Sequence, residues 1–397
     1  MRIAIFTPFL YPFHVGMVKV LSDKTEAKIF TCGIYGNYPF EELLRHRYVE
    51  VLKCVNVVGS KTLEPISLIK FVHFKPHVVI IFGIESIAGI MVYFLSRFVK
   101  VKTVVIVEEN NITIHNNFIL DFLQKLKMQI IKYIYKGAPI LIAESDASKR
   151  YVIEILHIKR NKPIIVRVHG IDTSRYLKFM STPKIQAKKE ILKLLRLPEN
   201  LLTKKWCVFI GEPSYYKGID VLIDAIEILK ENQEINAKTI FLIPKMMLLR
   251  DNEKLKEVYK QKLVRLIKHG LVLLYPPIKS EYMPIFYRAV DIVVLPSRLL
   301  ANASSDRSPN VALEALASGN TLIASYTGGI PTIVNNVAIL VKPNDPRALA
   351  NALLKVLTSY ERYRYLEEKA RERAQRVLNI RCYLYDIIKA LKETRGL

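Results

Sequence analysis

Short apolar runs alternate along this chain with longer stretches in which apolar residues return every three or four positions. Runs of the first kind read as strands buried on both faces, and the intervening pattern as amphipathic helices that cover them. In the first half the candidate strands are residues 3–7, 27–31, 78–82, 104–107, 140–143 and 164–168; in the second they are 208–210, 239–243, 272–275, 292–295 and 321–324. Strands separated by helices of this length predict an α/β chain of two domains, each with a parallel, doubly wound sheet. A polar, lysine-rich passage, 172–205, which contains LRLPENLLTKK, reads as the linker region. The expected division is 1–175 and 176–374, followed by a helical tail over about 375–397.

Two segments need separate treatment. Residues 78–96 are nearly all apolar and long enough to be considered as a membrane span. Glu85 falls inside, beside Gly83 and Ser86, and a charge at a bilayer centre is costly. The segment is therefore read as strand VVIIF, turn GIES and helix IAGIMVYFLS. Residues 117–136 are helical in pattern, with Phe122, Leu126, Ile130 and Tyr133 on one side and Lys125, Lys132 and Lys136 on another.

At 397 residues and 51% hydrophobic content the chain fits two ordinary cores. Its 60 Lys and Arg against 36 Asp and Glu leave a formal charge of +24, which calls for an anionic partner or surface. No zinc-finger spacing, aromatic RNA motif or helix-turn-helix accompanies the charge, so nucleic acid is not the expected partner. Anionic lipid is the better candidate, through peripheral contact of the basic 117–136 face. Cys32, Cys54, Cys207 and Cys382 are scattered without metal-binding or redox spacing, and are expected as reduced thiols of a cytoplasmic protein. The opening MRIAIFTPFLYP has no small-residue cleavage site and reads as a first strand, not a signal peptide.

The densest candidate chemistry lies in DRSPNVALEALASGNTLIASYTGGIPTIV, residues 306–334. Ser308 is placed to cap a helix over about 309–318, Pro309 takes its first position, and Gly319 closes it. Asp306 then stands on the loop before the helix and Glu314 on its second turn. Free N–H groups near Asn310, Val311 and Ala312 can receive a phosphate, while each carboxylate accepts hydrogen bonds from hydroxyls. A nucleoside diphosphate sugar has all of those parts. No D-x-D pair and no His/Cys cluster suggests a metal or other cofactor.

This string resembles the acidic-pair motif of the retaining nucleotide-sugar glycosyltransferases, in particular the large family 4. There a pattern like E-G-F-P-N-V-x-L-E-A-x-A-x-G precedes a strand and a G-G-I-P-E turn. Asp306 matches the first acid, Pro309 and Asn310 the Pro-Asn pair, Glu314 the second acid, and Gly328 to Pro331 the turn. Asp replaces Glu at the first acid, and Thr332 replaces the acid after the turn. The likeness implies that Glu314 holds ribose hydroxyls and Asp306 the transferred sugar. It also implies the GT-B fold, two Rossmann-like domains facing across a cleft, in which the last helix, here about 375–397, packs back on the first domain.

The likeness extends over nearly the whole chain. VFIGEPSYYKGIDVLIDAI, 208–226, resembles the family's strand, glycine turn at Gly211 and Lys-Gly pair. It implies that Lys217 contacts the donor diphosphate and stabilises the departing nucleotide. Glu212 stands where the family has an arginine, so Arg298, Arg307 and Lys245 are candidates to compensate. HGIDTSRY, 169–176, resembles the passage that closes the first domain, and IAESDASKRYV a stretch around Ser145. PFHVGMVKV resembles a glycine-rich loop near the donor phosphates, of which only Gly16 is kept, and Glu108 or Glu109 takes a position often held by His. The resulting expectation is a cytoplasmic or peripherally membrane-bound retaining transferase. It moves a hexose-type sugar from a nucleotide-diphosphate donor to a glycan or lipid-linked acceptor. An inactive sugar-nucleotide-binding relative, a nucleotide-sugar epimerase and a basic nucleic-acid-binding protein are the alternatives.

Overall fold

The computed structural model describes residues 1–33, 44–57, 60–107, 118–159, 161–246, 248, 252–299 and 308–393. The chain forms two compact units, Met1–Ile171 with Ile380–Leu397, and Asp172–Asn379.

The first unit contains β1 (Arg2–Thr7), α1 (Pro12–Ser22), β2 (Glu26–Thr31), β3 (Val49–Val51), β4 (Cys54–Val57), β5 (Ser60–Leu63), α2 (Pro65–His73), β6 (Val78–Ile81), α3 (Ile87–Phe98), β7 (Lys102–Val107), α4 (Phe118–Gly137), β8 (Ile140–Ala143) and β9 (Ile165–Val166). Seven strands pair in the order β3-β2-β1-β6-β7-β8-β9, and β4 and β5 form a separate antiparallel hairpin. The main sheet is parallel, with Ile3 opposite Ala27 on one side and Val78 on the other. Successive residues face opposite cores: Ile3, Ile5, Val104 and Ile106 pack with α1 and the C-terminal helix Ile380–Glu393, while Ala4, Phe6, Val105 and Val107 pack with α2, α3 and α4. Burial on both faces is why these strands read as unbroken apolar runs.

The doubtful segments resolve by local chemistry. The apolar stretch after residue 77 divides into β6 and α3, with Ser86 capping α3 by accepting from the Gly89 N–H at 2.9 Å. Glu85 accepts a hydrogen bond from Tyr135 at 2.7 Å. Among the described residues no helix is long and apolar enough to cross a membrane. The cysteine expectation is corrected: Cys32, just past β2, and Cys54, at the start of β4, form a disulfide, whereas Cys207 and Cys382 are not disulfide-bonded. Pairing of β2 with β3, Ile29 opposite Val49, returns the chain to the edge where Cys32 ends. The argument from reduced thiols to a cytoplasmic location therefore falls.

The second unit contains α5 (Lys184–Leu195), β10 (Lys205–Phe209), α6 (Ile219–Leu229), β11 (Thr239–Pro244), β12 (Val272–Tyr275), α7 (Met283–Ala289), β13 (Ile292–Leu295), α8 (Asn310–Ala317), β14 (Thr321–Ser325) and β15 (Ile339–Val341), besides shorter and later helices. Its sheet is parallel, in the order β12-β11-β10-β13-β14-β15. The expected linker is not one. Within it α5 buries Ala187, Ile191 and Leu192, and its Lys184 and Lys188 reach Asp291 at 3.2 and 2.8 Å. Asp291 also accepts from the Trp206 N–H at 2.9 Å. A lysine-rich surface in the sequence is here an ion-paired wedge under the sheet.

Candidate active site

In the second unit the chain runs from β10 outward to β12 on one side and from β13 to β15 on the other, so connections leave β10 and β13 in opposite directions. Such a reversal opens a crevice at the carboxyl ends of the two strands. Its floor is made by Gly211–Gly218 after β10 and Pro296–Arg298 after β13. The two loops touch: the Arg298 N–H donates to the Tyr216 carbonyl at 3.1 Å. A Cβ on Gly218 would lie 1.9 Å from the Pro296 carbonyl oxygen, and Gly218 has φ 72°. Only glycine permits this closeness in that left-handed conformation. Gly218 thereby starts α6 against the neighbouring strand end and sets Lys217, half-buried, at the crevice. The Lys217 N–H donates to Ser214 Oγ at 3.2 Å, and its ammonium lies 5.2 Å from the centre of the Tyr216 ring. Gly211, with φ 114°, turns the chain out of β10.

The helix after β13 begins one residue later than the capping pattern predicts. Pro309, not Ser308, occupies the N-cap position of α8, with no side-chain cap, and Asn310 opens the helix. Asn310 and Val311 are half-buried in its first turn. Glu314, one turn on, accepts a hydrogen bond from Tyr287 of α7 at 2.8 Å and lies beside Tyr176, whose ring meets Tyr287 edge-on at 6.0 Å. Burial raises the Glu314 carboxyl above the ordinary glutamate range, against the hydroxyls of Tyr287 and Tyr176 and the Arg175 charge, which lower it. Arg175 is itself tied to the Ser280 carbonyl at 2.8 Å. Tyr287 thus holds a partly desolvated carboxylate beside the helix start, ready to accept hydroxyl hydrogens.

Residues 196–373 match the family model for glycosyl transferases group 1. That match lies within the second unit. Curated relatives include D-inositol 3-phosphate glycosyltransferases of Streptomyces griseus, 29% identical over 162 residues, and of Xylanimonas cellulosilytica, 30% identical over 171. These alignments cover 40% and 43% of this chain, and it spans only 32% and 38% of those relatives. Solved structures confirm the fold over both units. A glycosyltransferase from Rickettsia africae superposes with a TM-score of 0.74 at 16% identity, covering 99% of this chain and 98% of that one. Anabaena HepE with UDP-glucose gives 0.73 at 18% identity, covering 99% and 100%. The α/β, GT-B character expected from sequence is therefore correct.

Within the matched residues, Lys217, Gly211, Asn310, Val311 and Glu314 all lie on the loops and helices that follow β10 and β13. Asp306 and Arg307 lie outside the described residues, as do Glu108 and Glu109. Of the cations proposed to offset Glu212, Arg298 is committed elsewhere. Its guanidinium makes a two-pronged contact with buried Asp220 on α6, through Nε to Oδ1 at 3.2 Å and through Nη2 to Oδ2, and it covers the Tyr215 ring. Lys245 is exposed at the end of β11. Gly16 is corrected: it sits inside α1, not in a loop, and a Cβ there would lie 3.3 Å from Ile380 Cδ1. Its smallness serves packing of the C-terminal helix on α1. Sequence reasoning missed Tyr176, Tyr287 and Arg175. Tyr176 closes the HGIDTSRY passage, but nothing local signalled that it would meet Glu314.

Proposed function

We propose that the protein is a retaining glycosyltransferase that moves a hexose-type sugar from a nucleotide-diphosphate donor to a glycan or lipid-linked acceptor. The observation that carries this is the joining, at one strand-order reversal, of Lys217 at the start of α6 and a tyrosine-held Glu314 beside the start of α8. In this reading Glu314 holds the ribose hydroxyls, and the α8 start with Lys217 receives the diphosphate. Asp306 contacts the transferred sugar. As the sugar leaves, negative charge grows on the β-phosphate, and the Lys217 ammonium stabilises it there. The acceptor hydroxyl attacks the same face from which the nucleotide departs, its proton passing to the diphosphate. Binding of UDP and UDP-glucose by Anabaena HepE supports a nucleotide-sugar donor and makes UDP-glucose the first one to test.

The test is thermal unfolding of the full chain with a panel of nucleotide sugars, followed by a transfer assay with the donor that stabilises it. A donor at a hundred times its Kd should stabilise the protein by about 2.7 kcal/mol. Glu314→Gln, which keeps the shape and removes the charge, should weaken that donor by about 1.5–3 kcal/mol while the ligand-free protein stays folded. Absence of stabilisation by every donor would overturn the proposal. Unaltered affinity in the variant would remove Glu314 from the ribose site.

A further inference from the structure

We propose that the outer face of α3 and α4 in the first unit docks on an anionic phospholipid surface. Large apolar side chains are exposed there in one strip. Phe122, Leu126 and Tyr133 on α4 are 58%, 49% and 65% exposed, and Phe94 and Phe98 on α3 are 44% and 85% exposed. Spacings of four and seven residues put Phe122, Leu126 and Tyr133 on one side of α4, and spacing of four does the same for Phe94 and Phe98. The Phe94 and Tyr133 rings stack at 6.4 Å, which joins the two helices' strips. The opposite side of α4 places Ile131, Ile134 and Tyr135 in the core, so the strip is not needed to hold the fold.

Lys125, Lys132 and Lys136 form a row immediately beside this strip, again spaced by seven and four. None of their ammonium groups makes an ion pair among the described residues. Arg97 and Lys100, both exposed, stand at the end of α3 next to Phe98. Charge and apolar surface therefore coincide. Nucleic acid would use the lysines and leave five apolar side chains in water, whereas a second copy would oppose lysine to lysine. A membrane interface accepts both features: the rings enter the boundary between headgroups and acyl chains, and the lysines meet anionic headgroups. With a formal charge of +24 the whole chain reinforces the attraction.

The test is flotation of the full-length protein with vesicles of phosphatidylcholine, with and without phosphatidylglycerol, at low and high salt. Binding is expected only with phosphatidylglycerol and should weaken as salt is added. Each lysine near such a surface contributes roughly a fivefold change in partition. The combined variant Lys125→Gln, Lys132→Gln, Lys136→Gln should therefore lose about a hundredfold, again by that rule. Phe98→Ser with Tyr133→Ser should also release the protein, with thermal midpoint and net charge unchanged, which separates docking from folding. Equal binding to both vesicle types, or vesicle binding indifferent to both variants, would overturn the proposal. So would a self-association that Phe98→Ser abolishes in a protein that ignores vesicles, or oligonucleotide binding under the same condition. None of these readouts depends on transfer activity.

Discussion

Lys217→Ala is expected to lower the rate of sugar transfer about 100- to 1000-fold, the loss usual for a preorganised group aimed at developing charge. The position favours such an effect because the backbone of the lysine is fixed on both sides. Gly218, confined by its contact with the Pro296 carbonyl, starts α6 immediately after it, and Ser214 receives its backbone N–H. Charge on the nucleotide grows as the sugar departs, so the ammonium stabilises the transition state more than bound donor. The variant's loss should accordingly fall more on kcat than on the Kd of the free nucleoside diphosphate. Lys217→Arg, which keeps charge but changes donor geometry, should recover part of the rate. Glu212→Arg offers the complementary measurement, and tighter donor binding in that variant would show that position 212 faces the phosphates. Equal losses of kcat and nucleotide affinity in Lys217→Ala would recast the lysine as a ground-state binding group.

The largest stability effect is expected at Asp291. Its carboxylate is 2% exposed and takes the ammonium groups of Lys184 and Lys188 together with the Trp206 N–H. Burial alone would raise its pKa, but the two lysines and the backbone donor outweigh burial and hold it below the ordinary aspartate range. Removing one member of a buried pair leaves the other charge uncompensated, at a cost of about 3–5 kcal/mol. Asp291→Ala should therefore lower the thermal midpoint by roughly 6–20 °C. Adding Lys188→Met should restore part of the loss, since Lys188 would then no longer be a buried unpaired charge. The pH dependence has a definite sign: a depressed carboxyl stabilises the fold fully above its unfolded pKa near 3.8 and ceases to do so as pH falls through the lower folded value. An Asp291→Ala midpoint within a degree of the wild type would show that the triad contributes nothing net.

Much of this was legible locally. The parallel sheets follow from runs such as Ile3–Ala4–Ile5–Phe6, whose alternate members need opposite cores, and from helical periods between them. The helix start at Asn310 was misplaced by one residue because Pro309 fits either the last extended or the first helical position. Short strands escaped altogether: β3 and β15 have three residues each, too few to show a period. Gly16 was legible as glycine but not in purpose, since a phosphate loop and a close helix contact both require the absence of a side chain.

Sequence by itself determined the class of fold, the Lys217–Gly218 turn and the Glu314 helix, because each depends on neighbours within a few turns of chain. Tertiary structure alone decided which distant groups complete them. Tyr176, Tyr287 and Glu314 come from separate elements and meet only where α7 and α8 pack. Cys32 and Cys54 bond because β3 returns beside β2, and the lysines of α5 become structural because that helix lies over Asp291. Periodicity states which side of an element is buried, but not which residue on another element will face it. That choice is made by strand order, and strand order emerges only when the whole sheet has formed.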